Sequence, residues 1–222
     1  MKKEINVIIL GDKGVGKTSI FNILKQGSSN EINFNNNNKS NDIERFNIKR
    51  KYEKKNMIIS LNINDIKNID NYKGNIPMQY IHNNNIILLV FCNIKTLNYI
   101  KEKYQLYNEK LNTNNIRYIL IGNKSDEFGD KKDEIIKEGQ KFGEEIDAHF
   151  ITYSTQSKDN MDNVERFIIT EAKELIDNID KQSNNNIHHI ILENNGNLNI
   201  ENHILIYFIK NLLFIFLIIE FI

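Results

Sequence analysis

The stretch "GDKGVGKTS", residues 11–19, directly follows the apolar run "INVIIL" and constrains this chain more than any other feature. It fits G-x-x-x-x-G-K-[ST], a phosphate-binding loop. Gly11, Gly14 and Gly16 allow successive backbone N–H groups to turn toward one point, and a helix that starts there adds its positive end. Val15 and Ser19 belong to the same cradle. Lys17 supplies a charge for outer phosphates, and the Thr18 hydroxyl is a hard oxygen ligand suited to Mg²⁺. The apolar run Ile5–Leu10 has no alternation, as expected of a parallel strand buried on both faces. Strand, loop and helix in this order predict an α/β fold.

The rest of the chain repeats that alternation. Strand-like segments fall at about 43–52, 56–64, 86–92, 116–122 and 148–154. In the second of these, Met57, Ile59, Leu61 and Ile63 recur with period two. Helices are expected from about Gly16 to Gln26, over 97–111, over 131–146 and from Met161 onward. The stripes Leu97, Ile100, Tyr104, Tyr107, Leu111 and Val164, Phe167, Ile168, Leu175, Ile176, Ile179 fit helical faces. Strands alternating with helices predict a sheet covered on both sides, with ligands at the carboxyl ends of its strands.

Net formal charge is zero, which argues against nucleic acid as the main partner. The single cysteine, Cys92, excludes an intrachain disulfide. It lies in "IILLVFC" and is expected to be a buried core thiol in a reducing compartment. The five histidines suggest no metal site. About one residue in six is Asn, so scattered asparagines read as compositional drift, and "NFNNNN" (33–38) and "SNNN" (183–186) read as loops or disorder.

A second motif names the base. "NKSD", residues 123–126, follows the apolar strand "IRYILI". Guanine offers two adjacent donors on its Watson–Crick edge, and the Asp126 carboxylate accepts two hydrogen bonds side by side. Adenine would place an acceptor against one of those oxygens. The Lys124 stem can lie along the base plane, and Asn123 can bridge base and backbone.

With both motifs in place, residues 4–180 resemble the Ras superfamily of small GTPases, and "GDKGVGKTS" looks closest to the Rab branch. The resemblance implies a P-loop G domain with a mixed, mostly parallel six-stranded sheet and helices on both faces. It also implies GTP/GDP and Mg²⁺ as ligands, effector and regulator proteins as partners, and a cytoplasmic switch in vesicle traffic. The family's Ser-Ala-Lys element stands here as Ser154-Thr155-Gln156. Ser154 could order the loop and a backbone N–H could meet guanine O6, but Gln156 cannot replace a lysine charge.

The switch regions depart from the family pattern. No threonine occurs between Thr18 and Thr96, so the Mg²⁺-binding threonine of switch I is missing; Ser40 is the best-placed hydroxyl. In switch II, "DIKNI" (65–69) stands where the family has Asp-Thr-Ala-Gly-Gln. Asp65 could hold Mg²⁺ through a water. Asn68 takes the place of the glycine that meets the γ-phosphate, and Ile69 that of the glutamine that orients the attacking water. Lys13 stands where many relatives have a small residue and is expected to face solvent.

Three segments are therefore expected: a domain over 1–180, an Asn-rich linker over 181–202 and an apolar tail over 203–222. The tail has about the ~20 residues that span a bilayer. Lys210 would cost about 2.5–3.5 kcal/mol at the centre, against roughly 0.3–0.6 kcal/mol gained from each apolar residue. Three readings stay open: an anchor to the cytosolic face of an internal membrane, a helix packed on protein, and translated non-coding sequence. For function, a switching GTPase competes with a pseudo-GTPase, a guanine-nucleotide-binding interaction module without turnover. A P-loop ATP enzyme is a third class, and it would need another base site.

Overall fold

The computed structural model of the chain describes residues 2–27, 43–66, 81, 84–109, 116–154 and 161–195. Six strands form one sheet: β1 (Lys2–Gly11), β2 (Ile43–Tyr52), β3 (Met57–Ile66), β4 (Ile86–Phe91), β5 (Arg117–Gly122) and β6 (His149–Thr152). Their order is β2-β3-β1-β4-β5-β6. β2 runs antiparallel to β3, and every other pairing is parallel. The helices are α1 (Lys17–Gly27), α2 (Ile94–Asn108), α3 (Lys132–Glu145) and α4 (Met161–Asn195). Two compact units divide the chain, Met1–Leu175 and Ile176–Ile222, and the sheet belongs to the first.

The apolar runs became central strands because both of their faces are covered. Every residue of β4 is buried. Side chains alternate across a strand, so Ile8 and Leu10 of β1 join Leu89 and Phe91 of β4 against Leu97 and Ile100 of α2 and Ile135 and Phe142 of α3. Val7 and Ile9 are buried on the opposite face. There α1 lies against β1 and β3, and Phe21 meets Phe46 edge-on with ring centroids 4.8 Å apart. The ion pair Lys25–Glu44, at 3.1 Å, joins α1 to β2, and Arg50–Glu165 joins β2 to α4.

Three expectations need correction. Cys92 is only partly buried, because β4 stops at Phe91 and the next residues cap α2. Asn93 there accepts from Thr96 N at 2.9 Å while Thr96 Oγ1 accepts from Asn93 N at 3.1 Å, a reciprocal cap. Next, "SNNN" (183–186) is helix, since α4 continues to Asn195. Asn costs a helix less than about 0.7 kcal/mol per residue, and extending an existing helix is far easier than starting one. Finally, several asparagines are structural. Asn47, Asn62 and Asn6 share one rung across β2, β3 and β1. Asn47 Nδ2 donates to Asn62 Oδ1 at 2.7 Å, and Asn62 Nδ2 donates to Asn6 Oδ1 at 2.9 Å. Asn6 N donates in turn to Asn85 Oδ1 at 3.0 Å, just before β4. Asn64, which unlike these four is buried, donates from Nδ2 to the Val7 carbonyl at 2.9 Å.

This relay separates two kinds of asparagine. Asn62→Ala should destabilise the fold by about 1–3 kcal/mol, because it strips partners from Asn47 and Asn6. Asn98→Ala, on the exposed side of α2, should be neutral or stabilising by about 0.5 kcal/mol through helix propensity. Urea unfolding of the two variants measures the difference, and equal midpoints would contradict it.

Candidate functional site

The phosphate-loop residues sit where β1 ends and α1 begins. Gly14 and Gly16 have φ of 78° and 93°, in the left-handed region that favours glycine. A Cβ on Gly14 would meet nothing within 4 Å, so the loop opens outward there. A Cβ on Gly16 would lie 2.2 Å from Asn123 Nδ2, and one on Gly11 2.4 Å from the Val90 carbonyl oxygen. Gly11 and Gly16 are thus required by close packing as well as by the turn. Val15 is fully buried beneath the loop, whereas Lys13, Thr18 and Ser19 are exposed.

Lys17 is buried, and its Nζ donates to the carbonyl oxygens of Gly11 at 3.0 Å and Asp12 at 2.7 Å. A buried ammonium is costly unless its donors are used, and here the loop's own backbone uses them. The lysine therefore crosses the loop and braces it. Nearby, burial and then the charge of Asp12 push the Tyr99 phenol above its ordinary range.

The structure brings Asp65 to the loop from β3. Its carboxylate is fully buried, and Oδ2 accepts from Thr18 Oγ1 at 2.7 Å. A hydroxyl and a carboxylate oxygen beside a phosphate-type loop form a hard donor set, which fits Mg²⁺. The sheet register explains the meeting: Asp65 pairs with Ile9 of β1, two residues before the loop.

The base-side motif follows β5. Asn123 is fully buried, and its Nδ2 donates to the Val15 carbonyl at 2.8 Å, tying this motif to the loop more than a hundred positions away. Its Oδ1 is buried and accepts no hydrogen bond among the described residues. Lys124 is held in the left-handed region, with φ 58°, and its Nζ stands 3.7 Å from Glu127 Oε2. Asp126 lies in a short 3-10 turn, Ser125–Glu127. Its Oδ1 accepts from the buried Ser154 Oγ at 2.5 Å, which ties the end of β6 to this loop.

Residues 11–19, Asp65, Asn123, Lys124, Asp126 and Ser154 are thus gathered at the carboxyl ends of the strands. Ser40, Asn68, Ile69, Thr155 and Gln156 lie outside the described residues, as does the 203–222 tail. One contributor escaped the sequence reading. Tyr153 N donates to the Gly122 carbonyl at 2.8 Å and its carbonyl accepts from Ser125 N at 3.0 Å, lacing the end of β6 to "NKSD". Backbone bonds of this kind leave no residue signature.

Gly16 is the most sensitive point of the arrangement. Gly16→Ala should destabilise the domain by about 1–3 kcal/mol from backbone strain alone, and it should displace Asn123. Thermal unfolding with an amide NMR spectrum reads both effects. An unshifted melting temperature with unmoved Asn123 and Val15 resonances would contradict the packing.

Residues 6–174 match the Ras family. No curated protein matches the chain. The match covers most of the sequence and spans every residue placed at the site, and members of this family bind guanine nucleotide with Mg²⁺. The sheet order, the braced loop and the anchored "NKSD" motif agree with it: this chain belongs to the Ras family of small GTPases.

Proposed function

We propose that this chain is a Rab-like GTP/GDP switch of vesicle traffic that binds guanine nucleotide firmly and hydrolyses GTP slowly. The observation that carries the reading is the direct contact between Thr18 and the buried Asp65, beside a loop already braced by Lys17. Gly11, Gly14, Val15, Gly16, Lys17, Thr18 and Ser19 would cradle the phosphates. Thr18 would ligate Mg²⁺ directly and Asp65 through a water, with Ser40 as the further hydroxyl. Asn123, Lys124 and Asp126 would hold the base, and Ser154, Thr155 and Gln156 would close over it. Mg²⁺, when bound, supplies positive charge at the outer phosphates. The Rab assignment rests on the likeness of "GDKGVGKTS".

Base choice turns on Asp126. Its Oδ1 accepts from Ser154, so the carboxylate is oriented before any base arrives. Asp126→Asn should weaken GTP binding and move preference toward xanthine nucleotides, whose edge suits an amide. The loss should be about 1.5–3 kcal/mol, the range for a hydrogen bond to a charged group. Fluorescent-nucleotide titration measures it, and unchanged GTP affinity would overturn the base assignment.

Slow turnover follows from what surrounds the charges. Water positioning and charge stabilisation are separate contributions to phosphoryl transfer. Lys17, Thr18 and Asp65 retain the second. Asp65 stands one residue before the end of β3, and the position four residues beyond it, where the family has its glutamine, is Ile69. An isoleucine offers no group to orient water. Intrinsic hydrolysis should run at or below the ~10⁻⁴ s⁻¹ scale of unassisted small GTPases. Phosphate release from GTP-loaded protein under single-turnover conditions tests this. No measurable release would favour the pseudo-GTPase alternative, whereas an ordinary assisted rate with a cell extract would support a full cycle. The 203–222 tail would supply membrane attachment. No helix among the described residues is long and apolar enough to cross a membrane.

A further inference from the structure

The turn that joins β2 to β3 lies beside the first residues of β1, at the end of the sheet opposite the nucleotide motifs. Strand register places three side chains in one rung there. Lys51 of β2 pairs with Ile58 of β3, and Ile58 pairs with Lys2 of β1. Directly opposed residues project to the same face of a sheet, so two ammonium groups flank one isoleucine. Ile58 is 46% exposed, the one large apolar side chain left so open among the described residues. Lys2, Lys51 and Lys54, the last of them in the turn, are exposed as well.

Positive charge is concentrated at this end although the chain is neutral overall. Residues 49–58 carry five basic side chains against one acidic, Glu53. The balance is restored elsewhere: residues 126–147 carry nine acidic side chains against four basic. A local field therefore survives zero net charge. Two carboxylates stand beside the rung, Glu4 at 2.7 Å from Lys2 and Glu53 at 3.8 Å from Lys51. Exposed pairs of this kind are weakly held, so another anion can take their place. Arg50, by contrast, is committed to Glu165 of α4.

The residue types indicate what would dock there. Lysine is a point charge on a flexible stem, suited to scattered phosphates rather than to one planar carboxylate. Its stem can lie along apolar surface while the ammonium reaches outward. Isoleucine between two such stems offers aliphatic surface with no polar group to desolvate. We infer that this rung is a docking surface for an anionic membrane. Lys2, Lys51 and Lys54 meet the lipid phosphates, and Ile58 enters the boundary between headgroups and acyl chains. Contact at this end leaves the nucleotide edge of the sheet open, and it does not need the 203–222 segment.

The chain contains no tryptophan, so Ile58→Trp in the full-length protein reports on this position alone. Vesicles of phosphatidylcholine with about 30 mol% phosphatidylserine should shift its emission to the blue, and added salt should reverse the shift. Vesicles of phosphatidylcholine alone should leave the emission in place, whether or not the protein sediments with them. In the tryptophan background, Lys51→Gln should bind the anionic vesicles about fivefold more weakly. Adding Lys2→Gln and Lys54→Gln should bring the loss to on the order of a hundredfold. A polyglutamate peptide should cause no blue shift; a shift with the peptide but not with the vesicles would assign the rung to an acidic protein and overturn the inference. No shift with anionic vesicles, an equal shift with phosphatidylcholine alone, or an undiminished affinity in the triple lysine variant would each overturn it as well.

Discussion

The hydrogen bond from Asn123 Nδ2 to the Val15 carbonyl, 2.8 Å long, joins two motifs that the chain keeps more than a hundred residues apart. It forms only because Gly16 has no side chain, since a Cβ there would occupy the place of the amide. The loop's conformation and the base motif's position are therefore one constraint. Around it the sheet does the positioning. β1 stands beside β3 and β4, so the loop that leaves it meets Asp65 on one side and lies against Val90 on the other. β5 and β6 then carry Asn123 and Ser154 to the same edge.

The charges at this edge are braced by the protein itself. Lys17 is held by two backbone carbonyls, Thr18 by Asp65, and Asp126 by Ser154. Preorganisation of this kind reduces the reorganisation needed on binding. It also separates two functions that family members usually combine. Lys17, Thr18 and Asp65 meet at the loop within the described structure. In the proposed reading, Ile69 stands where the family has its water-orienting glutamine. The proposed retention of nucleotide without rapid turnover rests on keeping one and losing the other.

Much of this was legible in the sequence, for identifiable reasons. β1, β4 and β5 read as apolar runs because both of their faces are covered, and β3 showed period two at Met57, Ile59, Leu61 and Ile63, all buried. The loop and "NKSD" were legible because their chemistry demands particular residues at fixed spacing. Composition misled elsewhere. In a chain so rich in Asn, nothing distinguished Asn62, which relays hydrogen bonds across three strands, from Asn98 on an exposed helical surface; only strand register does that. The same bias hid the continuation of α4 through 183–186. Cys92 read as core because it closes an apolar run, yet the strand stops one residue earlier.

Selection and retention of a guanine nucleotide would fall to this edge of the sheet. The most direct measurement is the identity of the nucleotide released when the purified full-length protein is denatured, separated by ion-exchange chromatography. Near-stoichiometric GDP or GTP is the predicted result, with GTP a substantial fraction because turnover is slow. Adenine nucleotide in that eluate, or protein that is folded yet carries none and takes up no added GTP, would contradict it.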